Sequence, residues 1–403
     1  MYGNNHISIN EYSYDLPNHR IAKYPLEQRG HSRLLEYKER TIKEYPFFKI
    51  PCLLPSNSLM FVNNTKVIHA RLLFRRATGA SVEIFCLSPY DPANYQLAFS
   101  TVGSCIWKCL AGNLKKWKND ILELLMEYHG KLLALRAEKL KVEEGKVIVR
   151  FSWEGNLSFG EILELAGKVP IPPYLNRDSE EIDNERYQTV YSHYEGSVAA
   201  PTAGFHYTPE IIDSLKKKNI LFSEITLHVG AGTFQPIKSE NALEHTMHTE
   251  HFTVDAKILS QLAETQNPVI ATGTTSLRTL ESIYWLALKS IANNTVVNRL
   301  NQWETTSFSS VIPFQEAFQK LLSLMKKQEL KTFSAETGIM IVPGYEFRVV
   351  DILITNFHQP QSTLLLLIAA FIGEDWKKVY EYALSHDFRF LSYGDSSLLY
   401  RAQ

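Results

Sequence analysis

Apolar and polar positions along this chain fall into two textures. Residues 66–150 carry short alternating runs, VEIFCLS, YQLAFSTV, IWKCLAG, KLLALRAEKL and KVIVRFSW, separated by Gly, Asn, Asp and Pro. Side chains that alternate with period two between turn residues predict strands. A close succession of them predicts a small antiparallel barrel or sandwich. Elsewhere the pattern switches between helix and strand. Ser58 to Val62 reads as a strand closed by a turn at Asn63-Asn64, and Leu157 to Leu165 as a short helix. VPIPPYLNR (169–177) holds three prolines and is expected to be extended, with the acidic stretch Asp178 to Glu185 an exposed loop. Thr208-Pro209-Glu210 is a cap, a first-turn proline and a first-turn acid, opening a helix to Lys218. Strands are expected at Leu221–Val229, Pro268–Thr272, Ile339–Val342 and Val349–Thr355. Helices are expected after Thr274 or Thr275 as cap, and over Ser362–Gly373, which is apolar all round and therefore buried. Such alternation predicts an α/β core. Residues 285–333 interrupt it with an amphipathic helix carrying Phe314, Phe318, Leu321 and Met325.

Composition narrows the class. The 403 residues are 45% hydrophobic and 21% charged, with a net charge of −1, which excludes disordered, collagen-like and disulfide-scaffold chains. Residues 66–150 hold 14 Lys/Arg against 8 Asp/Glu, so the β-rich region is locally basic. Four cysteines, Cys52, Cys86, Cys105 and Cys109, form no secretory framework. The N-terminus lacks a signal-peptide pattern, and the longest apolar run, Leu364 to Ile372, is nine residues where a bilayer span needs about twenty. A cytoplasmic protein without membrane attachment is expected.

Chemistry concentrates in the second half. TLHVGAGTF (226–234), VIATGTTSLRT (269–279), ITNFHQPQST (354–363) and LSYGDSS (391–397) place Gly, Thr and Ser beside apolar strands. Glycine admits a ligand close to the backbone, and free N–H groups at a helix start favour an anion. Such loops suit a ligand with a carboxylate and a nucleoside. Small residues dominate the first nine positions of GSVAAPTAGFHYT (196–208), a stretch that must lie against another backbone or a bound molecule. His206, His228 and His358 sit in these loops and are candidates for proton transfer. HTMHTEH (245–251) has metal-like spacing but no second cluster to complete a site, and no metal is expected.

These motifs, together with YDLPNHRIAKYPLEQRGHSRLL (14–35), FVNNTKVIHARL (61–72), ERYQTVY (185–191), PGYEF (343–347) and VDILITNFHQPQSTLLLL (350–367), give the chain its resemblance to a known family. It resembles the S-adenosylmethionine:tRNA ribosyltransferase-isomerases of queuosine biosynthesis, from about residue 10 to 399. The resemblance implies an α/β protein of two domains. A barrel-like core comes from both chain ends (1–65 and 156–403), with a small antiparallel β-barrel inserted at 66–155. Residues 285–335 are longer than the family norm. It implies an enzyme that transfers and isomerises the ribosyl part of S-adenosylmethionine onto 7-aminomethyl-7-deazaguanine in a tRNA anticodon. The products would be epoxyqueuosine, adenine and methionine. S-adenosylmethionine would be a substrate, no metal would take part, the partner would be an anticodon stem-loop, and the protein would be a monomer.

On this resemblance His206, His228 and Asp395 are the candidate catalytic groups. The methionine carboxylate would meet Thr274, Thr275 and Arg278. Tyr345, Tyr393 and Asp395 would face the sulfonium, and Asn356 and His358 the ribose or adenine. Pro201, Thr202, Ala203, Gly204, Thr226, Gly230, Gly232, Thr233, Ser362 and Thr363 complete the binding loops. The chain departs from the usual family pattern at Asn64 (Asp), His69 (Pro), Ala231 (Leu), Gln359 (Leu) and Gln361 (Lys). A divergent paralogue of the same fold with another acceptor, and a non-catalytic RNA-binding protein, are the alternative readings.

Overall fold

The computed structural model describes residues 6–76, 79–118, 120–143, 145–230, 237 and 239–402. Two sheets organise the chain. The first closes on itself: Arg71–Arg75, Ser81–Asp91, Ser104–Ala111, Lys146–Ser152, Lys131–Glu143 and Leu122–Tyr128 run antiparallel in that order, and Arg75 pairs with Glu123 to complete a six-stranded barrel. The period-two pattern explains it, because inward positions such as Leu72, Phe74, Val82, Ile84, Trp107, Val147 and Phe151 are buried. Cys86, Cys105 and Cys109 belong to this core, while Cys52 is exposed. The helix Phe159–Ala166, opened by the reciprocal Ser158–Glu161 capping box, packs against the barrel core through Phe159, Ile162 and Leu163.

The second sheet has ten strands. Its centre is parallel, in the order Leu221–His228, Leu59–Asn63, Val269–Thr272, Ile352–Asn356. One flank adds Glu250–Asp255, Thr332–Thr337 and Arg299–Leu300; the other adds Ser396–Tyr400, Arg33–Lys38 and Thr41–Pro46. Strands from both chain ends therefore share one sheet, and the barrel lies between them in sequence. Leu59–Asn63, Val269–Thr272 and Ile352–Asn356 are buried along their whole length, as parallel strands covered on both faces must be, while Leu221–His228 alternates. Two helices cover them with side chains buried almost all round: Thr274–Asn293 and Thr363–Ile372.

Several local expectations change. YQLAFSTV, expected as a strand, contains the helix Tyr95–Ser100, opened by Asn94, whose Oδ1 accepts the Leu97 N–H at 3.1 Å. Ile339–Val342 is buried but lies outside the sheet, whose strand ends at Thr337; Thr337 Oγ1 accepts the Ile339 N–H at 3.1 Å, which turns the backbone away. The helix begun at Thr274 runs unbroken through Trp285 to Asn293, so the alternation is interrupted only after it. The acidic stretch 178–185 contains a helix, Glu181–Arg186, because Asp183 is drawn into the interior by a two-pronged pair with Arg177 (2.7 and 2.8 Å). No helix among the described residues is long and apolar enough to cross a membrane.

Candidate active site

The carboxyl ends of the parallel strands carry the polar chemistry, the usual place for a ligand in an open α/β sheet. Val269–Thr272 hands over to Gly273 and then to the helix Thr274–Asn293. Gly273 has φ +88°, a conformation that a side chain strains. It, and neither Thr274 nor Thr275, is the capping residue, and no side chain caps this helix. Both threonines enter the first turn, where N–H groups lack intrahelical partners and the helix dipole is positive. The neighbouring strand Ile352–Asn356 leads to a second helix start. There Ser362 Oγ accepts the Leu365 N–H at 3.2 Å and Thr363 opens the helix.

Both helix starts border one cavity of about 90 Å³. Pro201, Thr202, Ala203, Thr274, Thr275, Asn356, His358, Ser362 and Thr363 all line it. Thr202 Oγ1 donates to Asn356 Oδ1 at 2.9 Å, which ties the small-residue segment to the strand end. His358 is held on three sides: its carbonyl accepts from the Tyr14 hydroxyl, its N–H donates to Tyr380 Oη at 3.1 Å, and Nε2 pairs with Thr355 Oγ1 at 3.0 Å.

His206 is buried next to the cavity. Its Nδ1 lies 2.7 Å from Ser32 Oγ and its Nε2 3.3 Å from Asn356 Nδ2. The amide nitrogen donates only, so Nε2 accepts and Nδ1 carries the proton. Burial, then the Arg389 and Arg29 charges, push its pKa down to about 3; burial alone pushes His358 to about 3. Both rings are neutral at neutral pH. With both nitrogens engaged, His206 fixes the orientation of Asn356.

His228 lies elsewhere, in a cleft of about 1680 Å³ bordered by the barrel and the large sheet. Thr226 and Gly230 line the same cleft, and Thr226 Oγ1 donates to Asn64 Oδ1 at 2.9 Å. Its neighbour Val229 lines the smaller cavity, so the two recesses meet at one strand end. The imidazole stacks on Tyr95, with ring centroids 4.2 Å apart and planes 12° apart. Nδ1 is buried against Gly196, which leaves Nε2 as the nitrogen able to meet a ligand in the cleft. Burial, then the facing His251, push its pKa down to about 4. A buried scaffold holds this corner: Asn63 accepts from Leu227 N and donates to Leu227 O, and Ser197 Oγ accepts the Val229 N–H at 3.0 Å.

Other candidates are placed away from both recesses. Arg278 is buried in an ion pair with Glu250 (2.6 Å) and also donates to the Ile339 carbonyl. Tyr345 Oη donates to buried Glu281 and accepts from Trp285 Nε1. Asp395 accepts the Arg33 and Arg389 backbone N–H groups, which makes it a brace between strand ends. Tyr393 donates to Asp183 at 2.7 Å. Gly204 is packed under Tyr191, whose hydroxyl would stand 2.0 Å from an added Cβ. Gly232 and Thr233 lie outside the described residues. Among the described residues no group of three or more His, Cys, Asp or Glu side chains is arranged to hold a metal ion.

Residues 9–399 match the family model described as queuosine biosynthesis protein. The chain belongs to this family. A relative from Trichlorobacter lovleyi, named S-adenosylmethionine:tRNA ribosyltransferase-isomerase, is 36% identical over 398 residues, 97% of this chain and 99% of its own. One of the same name from Thermotoga petrophila is 36% identical over 399 residues, covering 98% of this chain and 100% of its own. A 2.00 Å crystal structure of S-adenosylmethionine tRNA ribosyltransferase from Thermotoga maritima aligns over 96% of this chain and 99% of that one, at 27% identity and TM-score 0.46.

Two departures from the usual family pattern acquire a physical setting. Gln361, in place of lysine, donates Nε2 to Asn10 Oδ1 at 2.9 Å and is not part of the cavity wall. Asn64, in place of aspartate, donates Nδ2 to Glu224 at 3.1 Å, where a second carboxylate would repel the first. Sequence reasoning missed Tyr95, Gly196, Tyr174 and Ser392. Tyr174 lines the cavity together with Phe357, its hydroxyl 2.6 Å from Ser392 Oγ. Gly196 opens a motif that was visible in the sequence; Tyr95 carried no signal, because its partner His228 is far away in the chain.

Proposed function

We propose that this enzyme transfers and isomerises the ribosyl part of S-adenosylmethionine onto 7-aminomethyl-7-deazaguanine in a tRNA anticodon, giving epoxyqueuosine and releasing adenine and methionine. One observation carries the reading: two helix starts and their hydroxyls converge on one cavity, beside a cleft that presents a neutral histidine. The first-turn N–H groups at Thr274 and Thr275, with Ser362 and Thr363, receive the methionine carboxylate. At about 90 Å³ the cavity takes part of a nucleoside-sized substrate, since sites for such ligands run about 300–1,000 Å³. The rest of the donor and the acceptor base occupy the adjoining cleft.

The sulfonium acidifies the C5′ hydrogens of the donor. His228 Nε2, on the cleft side, removes one of these protons. The C5′ carbanion, stabilised by the sulfonium, expels O4′ from C4′ and leaves a C4′=C5′ vinyl sulfonium. O4′ becomes the C1′ aldehyde as the C1′–N bond breaks, and adenine leaves with the proton that His228 took. The acceptor amine adds to C4′ and gives up a proton. The regenerated C5′ carbanion bonds to C1′, and the new C1′ alkoxide displaces methionine from C5′ to close the epoxide. Asn356, oriented by Thr202 and His206, holds a polar edge of the donor. The test is adenine release from S-adenosylmethionine with a modified stem-loop, an unmodified stem-loop and no RNA. Release that needs the modified base supports the reading; equal release in all three arms assigns a different acceptor, and none in any arm refutes catalysis.

A further inference from the structure

His206 separates the cavity from a second recess. Asn356 meets Nε2 and lines the cavity; Ser32 meets Nδ1 and lines a recess of about 20 Å³. Three guanidinium groups border that recess, Arg29, Arg186 and Arg389. Arg29 donates to the carbonyls of Gln188, Phe205 and Glu185. Arg186 donates to those of Leu26 and Glu27, and its Nε is buried without a partner. Neutral carbonyls satisfy hydrogen bonds and leave the charge uncancelled. Among the described residues neither Arg29 nor Arg186 has a carboxylate within 4.0 Å, and Arg389 has one, Asp395 at 3.5 Å, which already accepts two backbone N–H groups. Burial, then the Arg186 charge, lower the pKa of Arg29, and the Glu185 carboxylate, which lies beyond ion-pair distance, offsets this only in part.

The complement of three guanidiniums and one shared carboxylate is an anion. Planar guanidinium forks match phosphate oxygens. A recess of this size holds about one water, so it admits one or two oxygens of a phosphate at its mouth and leaves the rest of the group outside. That geometry fits a phosphate carried on a chain. We propose that Arg29, Arg186 and Arg389 form a phosphate site, and that its occupant is a backbone phosphodiester of the RNA whose base enters the cleft. The choice of RNA as the source rests on the function proposed above; the phosphate chemistry does not.

The test uses Arg389→Gln, because this guanidinium braces no backbone carbonyl, with Arg389→Lys as the charge-retaining control. Binding of the anticodon stem-loop is measured across a potassium chloride series. The expected result for R389Q is about tenfold weaker binding and a log–log salt slope shallower by about 0.7–1, one phosphate contact fewer, with R389K in between. In parallel, thermal unfolding is followed in inorganic phosphate against chloride at equal ionic strength, with stabilisation expected for wild type and lost in R389Q. If wild type binds no RNA but keeps this phosphate response, the phosphate site stands, and both the RNA source and the proposed function fall. If R389Q matches wild type in RNA affinity, salt slope and phosphate response, the site is refuted. Should R389Q not fold, R389K decides: weaker RNA binding with a reduced phosphate response supports the site, because a single ammonium cannot replace the guanidinium fork, and a match to wild type in RNA affinity, salt slope and phosphate response refutes it.

Discussion

The imidazole of His228 stacks on the ring of Tyr95, and the backbone of Gly196 closes off its Nδ1 edge. A Cβ built on Gly196 would stand 2.5 Å from His228 Nδ1, and Gly196 has φ +137°. A residue of the barrel region and a glycine of the small-residue segment therefore set the position of a histidine on the large sheet. Gly196→Ala must displace the ring, and a shift of about 1 Å at a reacting group costs on the order of 100-fold in rate. Single-turnover adenine release should fall by about that factor. Tyr95→Phe keeps the stack and should stay within about twofold of wild type, whereas Tyr95→Ala should lose most of the rate. A fully active G196A variant would remove His228 from the chemistry.

Acid should destabilise the fold earlier than carboxylate titration alone would. His206 and His358, pushed down to about 3, are neutral in the folded state, while an unfolded histidine takes up a proton near pH 6.5. Stability is thus fully present above about pH 6.5 and is lost as pH falls toward the folded values. Each ring contributes roughly 1.4 kcal/mol per pH unit in that window. Urea midpoints between pH 7 and 5 check this. His206→Gln should flatten the slope by about one proton, and an unchanged slope would show that this ring titrates normally.

Asp183 joins two distant parts of the chain, its own segment 177–183 and the loop at Tyr393. It is fully buried, pairs with Arg177, accepts the Glu180 N–H and accepts from Tyr393. Burial opposes its charge, but the Arg177, Glu180 and Tyr393 hydrogen bonds outweigh burial and hold the pKa below the ordinary value. Its contribution is present at neutral pH and is lost as pH drops through that lowered value. Asp183→Ala leaves Arg177 half-buried without its counter-charge and should cost about 3–5 kcal/mol by denaturant unfolding. A loss under about 1 kcal/mol would show that the network is incidental.

Asn356 is the link between Thr202 and His206. Asn356→Ala unties both and should raise the KM for S-adenosylmethionine by roughly tenfold, the scale of about 1.4 kcal/mol for a lost buried polar contact. Asn356→Asp keeps the acceptor toward Thr202 and loses the donor toward His206 Nε2. Steady-state kinetics on the two variants separates the partners, and an unchanged KM in both would place the donor elsewhere.

Local rules read much of the fold. Thr208-Pro209-Glu210 did open a helix, Pro209–Lys217, with Thr208 capping the Ile211 N–H. The apolar run after Ser362 is the buried helix its pattern required. The rules failed where a partner distant in sequence decides. Ile339–Val342 is as apolar as a strand, but hydrophobicity reports burial and not ladder pairing. Arg278 sits in a loop motif that reads as ligand-binding, yet Glu250 claims it inside the core. Asp178–Glu185 reads as solvated because nothing local announces that Arg177 and Tyr393 capture Asp183. The cavity was visible as motifs, but the separation of His206 from His228 into different recesses depends on the strand order.

The most direct test of the central claim is adenine release under single-turnover conditions, with a stem-loop carrying 7-aminomethyl-7-deazaguanine, for wild type and His228→Gln. The account predicts release that requires the modified base and falls by at least about 100-fold in the variant, with S-adenosylmethionine binding retained. Release at the wild-type rate by His228→Gln, or release independent of the modified base, would contradict it.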